Sequence, residues 1–308
     1  MAAENYDRGL GDVLEQELMT RHTSWRVGGP ADIYFVPKSR ERLCAFIRDL
    51  PPTMPIYWIG LGSNLLVRDG GIRGAVVAVS HALGEIRYLG GGLVEAGAGV
   101  PCTVLARKCV RWKVGPAEFF AGIPGTVGGA LRMNAGAFGG ETWDHVISVD
   151  VVNRQGEVAS RDADAYRVAY REVTGSPDEW FLAARFHFAQ RLATSMASVR
   201  SLIQERREKQ PLGLPSCGSV FRNPPGDHAA RLIETAGLKG FCVGGAEVST
   251  KHANFIINSG NATAADVEAL IDYVRDTVQQ VHGVSLVCEV HIVGEPTNKG
   301  GSEKGGWQ

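Results

Sequence analysis

The sequence lacks long hydrophobic runs and lacks an excess of charge of either sign. No apolar stretch reaches the roughly 18 residues that are needed to span a bilayer, and the first residues contain no apolar signal-peptide core. Lys and Arg number 32 against 33 Asp and Glu, so the net charge of −1 gives no general attraction for nucleic acid or anionic lipid. We therefore expect a soluble, cytoplasmic protein with neither a nucleic-acid partner nor a membrane partner, in which any anion is bound by local groups.

The six cysteines also lack the spacings that mark metal sites and redox motifs. They form no C-x-x-C pair and no dense framework, which favours isolated reduced thiols and predicts no metal centre. Glycine, in contrast, supplies 39 of 308 residues, nearly twice the usual fraction of about 7%. No Gly-X-Y period is present and 44% of the residues are hydrophobic, so neither collagen nor disorder explains the excess.

The pattern of predicted elements changes near residue 190, which is consistent with two or three domains in a chain of 308 residues. Before this point, short strand-like runs alternate with glycine turns. Helices are predicted after Ser39, which is a suitable cap, and over residues 102–112.

Longer, better-capped helices are predicted after residue 190. Ser195 begins one helix, and Thr263 with Asp266 forms a capping box for another. The second helix carries an apolar stripe whose members are Val267, Leu270, Ile271, Val274, Val278 and Val281. A final strand is predicted over residues 284–294.

Two glycine clusters, GLGSNLL at residues 60–66 and GIPGTVGGA at residues 122–130, have the composition of anion-binding loops. In the first, backbone N–H groups can approach a phosphate, and Ser63 and Asn64 add polar side chains. In the second, four glycines in eight positions disfavour a buried helix or strand unless the backbone approaches a flat or charged group. Ordinary turns and tight packing are the alternatives, and Leu65 excludes a Rossmann fingerprint. The clusters therefore favour a nucleotide cofactor.

The chain resembles the bacterial UDP-N-acetylenolpyruvoylglucosamine reductases in four segments that occur in family order: GLGSNLLVRDGG, AGIPGTVGGALRMNAGA, PSCGSVFRNP and GGAEVSTKHANFIIN. The resemblance implies an α+β fold, a two-lobed FAD-binding unit of the vanillyl-alcohol-oxidase type followed by a C-terminal α+β substrate-binding domain. The implied lobes are 1–80 and 81–190, the substrate-binding domain is 191–294, and 295–308 is a disordered tail. It also implies noncovalent FAD, held by Gly60, Gly62, Ser63, Asn64, Leu65, Gly122, Ile123, Pro124, Gly125, Val127, Gly128, Gly129, Asn134 and Gly136.

The reaction that the resemblance implies is the reduction of an enolpyruvyl ether by NADPH through the flavin, and three residues at family motif positions fit its chemistry. Ser219 would donate a proton, while Arg171 and Glu289 would stabilise an enolate-like intermediate. A turn-capping serine, a surface arginine paired with Glu172 and an outward-facing strand glutamate are the alternatives.

The substrate diphosphate requires cations and hydrogen-bond donors. The candidates are Lys209, Asn223, Arg206, Arg222, Lys251 and His252. Basic residues at a helix C-terminus also complement the helix dipole, which is the alternative role for Arg206 and Lys209. The alternative for His252 is a structural histidine.

The segment between Phe188 and Ser195 has no room for the tyrosine-bearing loop of one family branch, so the chain resembles the second type. It departs from the family at position 291, where histidine stands in place of the usual arginine or lysine. We expect a monomer that acts on small molecules, namely UDP-N-acetylglucosamine enolpyruvate and NADPH. A flavin-dependent oxidase of the same fold and a non-catalytic nucleotide-binding protein are the competing hypotheses.

Overall fold

A four-stranded sheet covered by one helix forms the first part of the computed structural model, which describes residues 9–190 and 195–297. Its elements, with one short strand outside the sheet, are β1 (Gly11–Leu18), β2 (Pro30–Pro37), α1 (Arg40–Asp49), β3 (Ile56–Ile59), β4 (Leu65–Val67) and β5 (Ile72–Ala78). The strand order is β1-β2-β5-β3, with β1 antiparallel to β2 and the other pairs parallel. Ser39 caps α1 by accepting a hydrogen bond from the Arg42 N–H, as predicted.

A five-stranded antiparallel sheet forms the second part. The elements of this part are β6 (Ile86–Gly90), β7 (Leu93–Gly97), α2 (Cys102–Trp112), β8 (Val114–Gly115), α3 (Val127–Met133), β9 (Gly136–Ala137), β10 (Gly140–Glu141), β11 (Val146–Asn153), β12 (Val158–Asp162), β13 (Arg167–Ala169), β14 (Glu172–Thr174), β15 (Glu179–His187) and β16 (Ala189–Gln190). The order is β12-β11-β15-β7-β6, and α2 and α3 share a hydrophobic core with this sheet. Short 3-10 helices lie at Met19–Arg21, Glu118–Gly122, Thr142–His145 and Ala163–Ala165.

Helices dominate the part after residue 195. Its elements are α4 (Met196–Lys209), α5 (Ala229–Thr235), β17 (Cys242–Val243), β18 (Ala246–Val248), β19 (Ile256–Asn258), α6 (Ala264–His282) and β20 (His291–Val293). Strands β17, β18 and β19 form an antiparallel sheet whose buried residues share a core with α5 and α6. Ser195 caps α4, and the capping box of Thr263 and Asp266 on α6 is confirmed. Helix α5 and strand β1 were not anticipated.

The strand predicted over residues 284–294 is wrong for most of its length. Only β20 is a strand, pairing in parallel with β4, and Cys288 forms an isolated bridge with Phe221. Leu286 and Val290 are buried in the core of the α5 and α6 region, so these apolar side chains insert into a core and do not form a continuous ladder.

Two further expectations need correction. Val281 is exposed, because His282 takes the packed position in the last turn of α6 and its Nε2 lies 3.1 Å from the Leu232 carbonyl oxygen. The second glycine cluster does contain regular structure, since α3 begins at Val127 and includes Gly128 and Gly129.

Long-range contacts join the beginning of the chain to its end. Trp25 is fully buried in the core of the α5 and α6 region, and its Nε1 donates to the Ile256 carbonyl at 2.7 Å. The Asp69 carboxylate accepts hydrogen bonds from the first two N–H groups of α6, at 2.9 Å each. The domain boundaries therefore remain predictions, because a core of one range includes residues of another.

Residues 298–308 of the expected tail lie outside the described residues. At the start of that range, Glu295 exchanges backbone hydrogen bonds of 2.9 Å with Gly70 and Gly71 and so is part of the fold. Within 9–190 and 195–297, no helix combines the length and the apolar character that crossing a membrane requires.

Candidate active site

One cavity of about 410 Å³ brings together residues from every part of the chain that the sequence singled out. Its wall combines the first glycine cluster, the second glycine cluster, the turn between β13 and β14, the end of α4 and the segments around residues 219 and 289. The predicted residues that line it are Ser63, Asn64, Gly122, Ile123, Pro124, Gly125, Gly129, Gly136, Arg171, Arg206, Lys209, Ser219, Asn223 and Glu289. Its volume is in the range typical of small-molecule sites.

Arg171 is held rigidly at the edge of this cavity. It lies in the two-residue turn between β13 and β14, and its Nη1 and Nη2 donate to the carbonyl oxygens of Asn134 and Gly136 at 3.2 and 3.1 Å. Its Nε lies 3.2 Å from Oε1 of Glu289, an ion pair without the alignment of a hydrogen bond. The guanidinium orientation is therefore fixed before any ligand arrives.

Glu289 combines burial with nearby positive charge. Its side chain is 17% exposed, and burial raises the pKa of this carboxyl while Arg171 and Arg222 act in the opposite direction. Its backbone N–H donates to the Val220 carbonyl at 2.7 Å, and its carbonyl accepts from Nδ2 of Asn64 at 3.0 Å. Burial therefore favours the neutral form of this carboxyl, and the two guanidinium groups favour its charged form.

Ser219 enters the cavity through a tight turn. Gly218 before it has φ +75°, a conformation that favours glycine, and a Cβ there would meet no atom within 4 Å. Val220 after it accepts the Glu289 N–H, so the serine and the glutamate lie on adjoining segments. A hydroxyl, a carboxyl and a guanidinium therefore face one cavity.

The glycines of the two clusters divide into two structural roles. At Gly129 an added Cβ would meet nothing within 4 Å, and at Gly125 it would meet only Ser63 Oγ at 3.3 Å, although both line the cavity. At Gly62 and Gly128, in contrast, a Cβ would approach backbone atoms of His22 or Ala98. Gly125 and Gly129 thus leave space that a flat cofactor can fill, and the residues present fit a flavin.

Several predicted cofactor residues lie outside the cavity wall: Gly60, Gly62, Leu65, Val127, Gly128 and Asn134. Gly60 packs on Thr126, Leu65 pairs with His291 in the β4 and β20 ladder, and Val127 is buried in the core. Asn134 is also buried, and its Nδ2 donates to Oε2 of Glu141 at 2.8 Å. The structure places these residues behind the cavity wall.

The cation candidates at the end of α4 do line the cavity. Arg206 is partly buried, which lowers its pKa, and its Nε donates to Gln210 at 2.6 Å. Lys209 is exposed and pairs with Glu205 at 2.6 Å. Asn223 accepts the Ala229 N–H at 3.1 Å, which leaves its amide group free to donate.

Three substrate candidates lie elsewhere. Arg222 lines a separate cavity of about 470 Å³ with His291 and pairs with Glu172 at 3.5 Å. Lys251 donates to the Arg207 carbonyl at 2.6 Å, and His252 packs edge-on against Phe255 with ring centroids 4.8 Å apart.

The cavity also contains residues that sequence reasoning missed: Met133, Phe138, Tyr170, Asn254 and Phe255. Met133, Asn254 and Phe255 lie within family segments and Phe138 directly follows one, whereas Tyr170 lies beside a predicted residue without a signal of its own. Residues 191–194, in the segment too short for a tyrosine loop, are outside the described residues. In the described part of the chain no three His, Cys, Asp or Glu side chains are grouped as metal ligands.

Comparisons with known proteins identify relatives of this chain. A family model described as "FAD binding domain" matches residues 31–160, and "UDP-N-acetylenolpyruvoylglucosamine reductase, C-terminal domain" matches residues 210–293. A protein of Alkalilimnicola ehrlichii named UDP-N-acetylenolpyruvoylglucosamine reductase is 56% identical over 92% of this chain and 96% of its own length. One of the same name from Methylococcus capsulatus is 54% identical over 96% and 97%.

A solved structure supports the same relationship. The crystal structure of UDP-N-acetylenolpyruvylglucosamine reductase from Thermus caldophilus matches with a TM-score of 0.77 and 31% identity. The match covers 92% of this chain and 98% of that chain.

Proposed function

Because the chain belongs to the UDP-N-acetylenolpyruvoylglucosamine reductase family, we propose that it reduces UDP-N-acetylglucosamine enolpyruvate to UDP-N-acetylmuramate with NADPH. It is an FAD-dependent oxidoreductase of peptidoglycan precursor synthesis, and we place it in the cytoplasm as a monomer. The observation that carries the proposal is the convergence of Ser219, Arg171 and Glu289 on one cavity. Space beside Gly125 and Gly129 supports the flavin in the same cavity.

Bound FAD would supply the hydride-transfer chemistry between NADPH and the substrate double bond. The residues that would hold it are those of the two glycine clusters that line the cavity, Ser63, Asn64, Gly122, Ile123, Pro124, Gly125, Gly129 and Gly136. Lys209, Asn223 and Arg206, which also line the cavity, would bind the substrate diphosphate.

Arg171 would bind the substrate carboxylate. An enol ether accepts hydride poorly unless the attached carboxylate takes up the negative charge that develops, so the site needs a fixed cation at that carboxylate. The Arg171 guanidinium is fixed by the carbonyl groups of Asn134 and Gly136 and therefore needs no reorganisation when charge develops. Such a preorganised cation lowers the barrier to the extent that it interacts more strongly with the charge of the transition state than with the ground-state carboxylate.

Ser219 would donate the proton that completes the reaction. A hydroxyl is a weak acid, but the α-carbon of the enolate that hydride addition would leave is basic enough to take its proton at hydrogen-bond distance, and a proton relay from solvent would then restore the hydroxyl. Glu289 would hydrogen bond to the substrate carboxylate in its protonated form, and its raised pKa favours that form.

The function is tested by product formation with purified holoenzyme under anaerobic conditions. We expect one UDP-N-acetylmuramate for each NADPH oxidised in turnover and, without the enolpyruvyl substrate, no NADPH consumption beyond the one equivalent that reduces the enzyme flavin. NADPH oxidation that requires oxygen and gives no lactyl ether would instead favour the oxidase hypothesis.

A further inference from the structure

A second cavity of about 630 Å³ adjoins the candidate active site, and most of its lining residues have no role in the mechanism above. It lies between α2 and the end of α4, and it shares Ile123, Pro124 and Arg206 with the active cavity. We call it the annex. Its lining residues are Thr103, Arg107, Ala121, Ile123, Pro124, Ile203, Arg206, Arg207, Leu212 and Gly213. The shared residues make the two cavities neighbours along one wall.

The charged residues that line the annex are all positive. They are Arg107, Arg206 and Arg207, and no Asp or Glu is among the lining residues. None of these three guanidinium groups forms an ion pair with a carboxylate within residues 9–190 and 195–297. Lys209 on the same helix, in contrast, is paired with Glu205. Arg107 and Arg207 are exposed to solvent, and Arg206 is partly buried and hydrogen bonded to Gln210. In a protein of net charge −1, this local concentration of positive charge around one cavity suits an anionic ligand.

The rest of the annex is apolar. Ala121, Ile123 and Pro124 supply one side, and Ile203 and Leu212 supply another. An apolar wall with a few converging cations suits a nucleoside that bears a phosphate, since the base and ribose need contact area and the phosphate needs forked donors. The volume is also within the range of sites for ligands of this size.

We propose that the annex binds the phosphorylated adenosine end of NADPH, with Arg107 and Arg207 contacting the 2′-phosphate. The proposal rests on the proposed function and names the residues that would select NADPH over NADH. Arg206, which lines both cavities, lies where a dinucleotide would pass from the annex to the flavin. The contact of Lys251 with the Arg207 carbonyl, 2.6 Å long, holds the end of α4 and gives Lys251 an indirect role.

Two ligands of the proposed reaction carry phosphate groups that the annex arginines could bind: the 2′-phosphate of NADPH and the diphosphate of the UDP-sugar. Lys209 and Asn223 line the active cavity but not the annex, so the diphosphate already has donors of its own. This division favours the 2′-phosphate as the annex ligand.

The test compares Arg107→Gln and Arg207→Gln with matched controls on the same helices, Arg111→Gln on α2 and Arg200→Gln on α4. Both control arginines are exposed and lie outside the annex. For each holoenzyme variant, kcat/KM is measured with NADPH and with NADH, together with KM for the UDP-sugar. Binding of NADP⁺ and NAD⁺ to the oxidised protein is measured by calorimetry.

We expect each annex variant to lose about tenfold in kcat/KM for NADPH and in NADP⁺ affinity, because one charged hydrogen bond is removed. NADH kinetics, the UDP-sugar KM and both controls should not change. If the ratio of kcat/KM with NADPH to kcat/KM with NADH were unchanged in the annex variants, the proposal would be overturned. A raised KM for the UDP-sugar, with that ratio unchanged, would assign the annex to the substrate diphosphate. Failure of NADPH to reduce the wild-type flavin would instead reject the proposed function.

Discussion

Three residues that line the active cavity or lie directly behind its wall have a backbone conformation that is uncommon outside glycine. Asn134, Phe138 and Arg171 have φ of +43°, +51° and +56°. Such residues cost about 1 kcal/mol or more each and persist where surrounding contacts determine the conformation. Asn134 is fixed by its hydrogen bonds to Glu141 and Trp143, and Arg171 by its two carbonyl contacts. Within the described residues, half of the six non-glycine residues with positive φ therefore lie at or beside the site where Arg171 is positioned.

At the residue scale, Glu289 should give the substrate half-reaction its pH dependence. The protonated carboxyl donates a hydrogen bond to the substrate carboxylate, and burial raises its pKa against the influence of Arg171 and Arg222. The wild-type rate should then fall as the pH rises through this raised pKa, because the neutral form is lost. Glu289→Gln keeps a neutral donor, so it should stay within about tenfold of wild type and lose that dependence, whereas Glu289→Ala should be slower by about 100-fold.

The measurement is the rate at which the enolpyruvyl substrate reoxidises reduced flavin, followed from acid to alkaline pH in the three proteins. A Glu289→Gln enzyme that is as slow as Glu289→Ala would show that the negative charge is required, and this role of Glu289 would be rejected.

The sequence predicts these residues better than it predicts their surroundings. Glu289 was singled out as a charge in an apolar strand, and it does lie in the cavity, but the strand is absent. The apolar neighbours are buried because they fill a core, a cause that a one-dimensional pattern does not separate from strand pairing. The contact between Arg171 and the carbonyl groups of Asn134 and Gly136 joins residues 35 or more positions apart and follows from the fold alone.

At the element scale, the adjacent glycines of α3 should respond differently to substitution. An added Cβ at Gly128 would lie 3.0 Å from Ala98 Cβ, whereas at Gly129 it would point into open cavity space. Gly128→Ala should therefore destabilise the protein by about 1–3 kcal/mol through overpacking. Gly129→Ala should leave the flavin-free fold as stable or up to about 1 kcal/mol more stable, because alanine favours helix. It should weaken FAD binding by at least about tenfold.

Flavin fluorescence titration and urea unfolding of the flavin-free protein separate the two effects. Wild-type FAD affinity in Gly129→Ala would show that the flavin does not contact this turn of α3.

Elements with local signals are the ones that the sequence predicts well. The caps Ser39, Ser195 and Thr263 each start the expected helix, because capping is a local interaction. Helix α3 was not expected, because glycine is a poor helix former and only the close approach to Ala98 explains Gly128.

At the scale of the whole molecule, the beginning and the end of the chain are joined by a common core. Trp25 packs among residues of the α5 and α6 region, and Asn258 Nδ2 donates to its carbonyl at 2.9 Å. Arg68 and Glu268 add a forked ion pair at 2.7 Å. Because the active cavity takes residues from both ends of the chain, this core also holds the site together.

Trp25→Ala should therefore lower the free energy of unfolding of the whole protein by about 3–5 kcal/mol, the usual cost of emptying a large buried aromatic site. Urea unfolding followed both by circular dichroism and by flavin fluorescence should shift to the same lower midpoint. If only one of the two signals moved, the two ends of the chain would be energetically independent.

The contact between the beginning and the end of the chain could be predicted from the sequence only through family resemblance. Composition identified an excess of glycine and required local anion binding, but it did not show that residues 25, 69 and 258 lie together. The pairing of β20 with β4 spans more than 220 residues, and no local pattern specifies it.

The most direct test of the proposed mechanism is anaerobic stopped-flow of the two half-reactions in wild type and Ser219→Ala. NADPH should reduce the flavin equally fast in both proteins, since Ser219 has no part in that step. Reoxidation by UDP-N-acetylglucosamine enolpyruvate should be slower in the variant by at least about 100-fold, because the proton donor is missing. Reoxidation at the wild-type rate would contradict the mechanism.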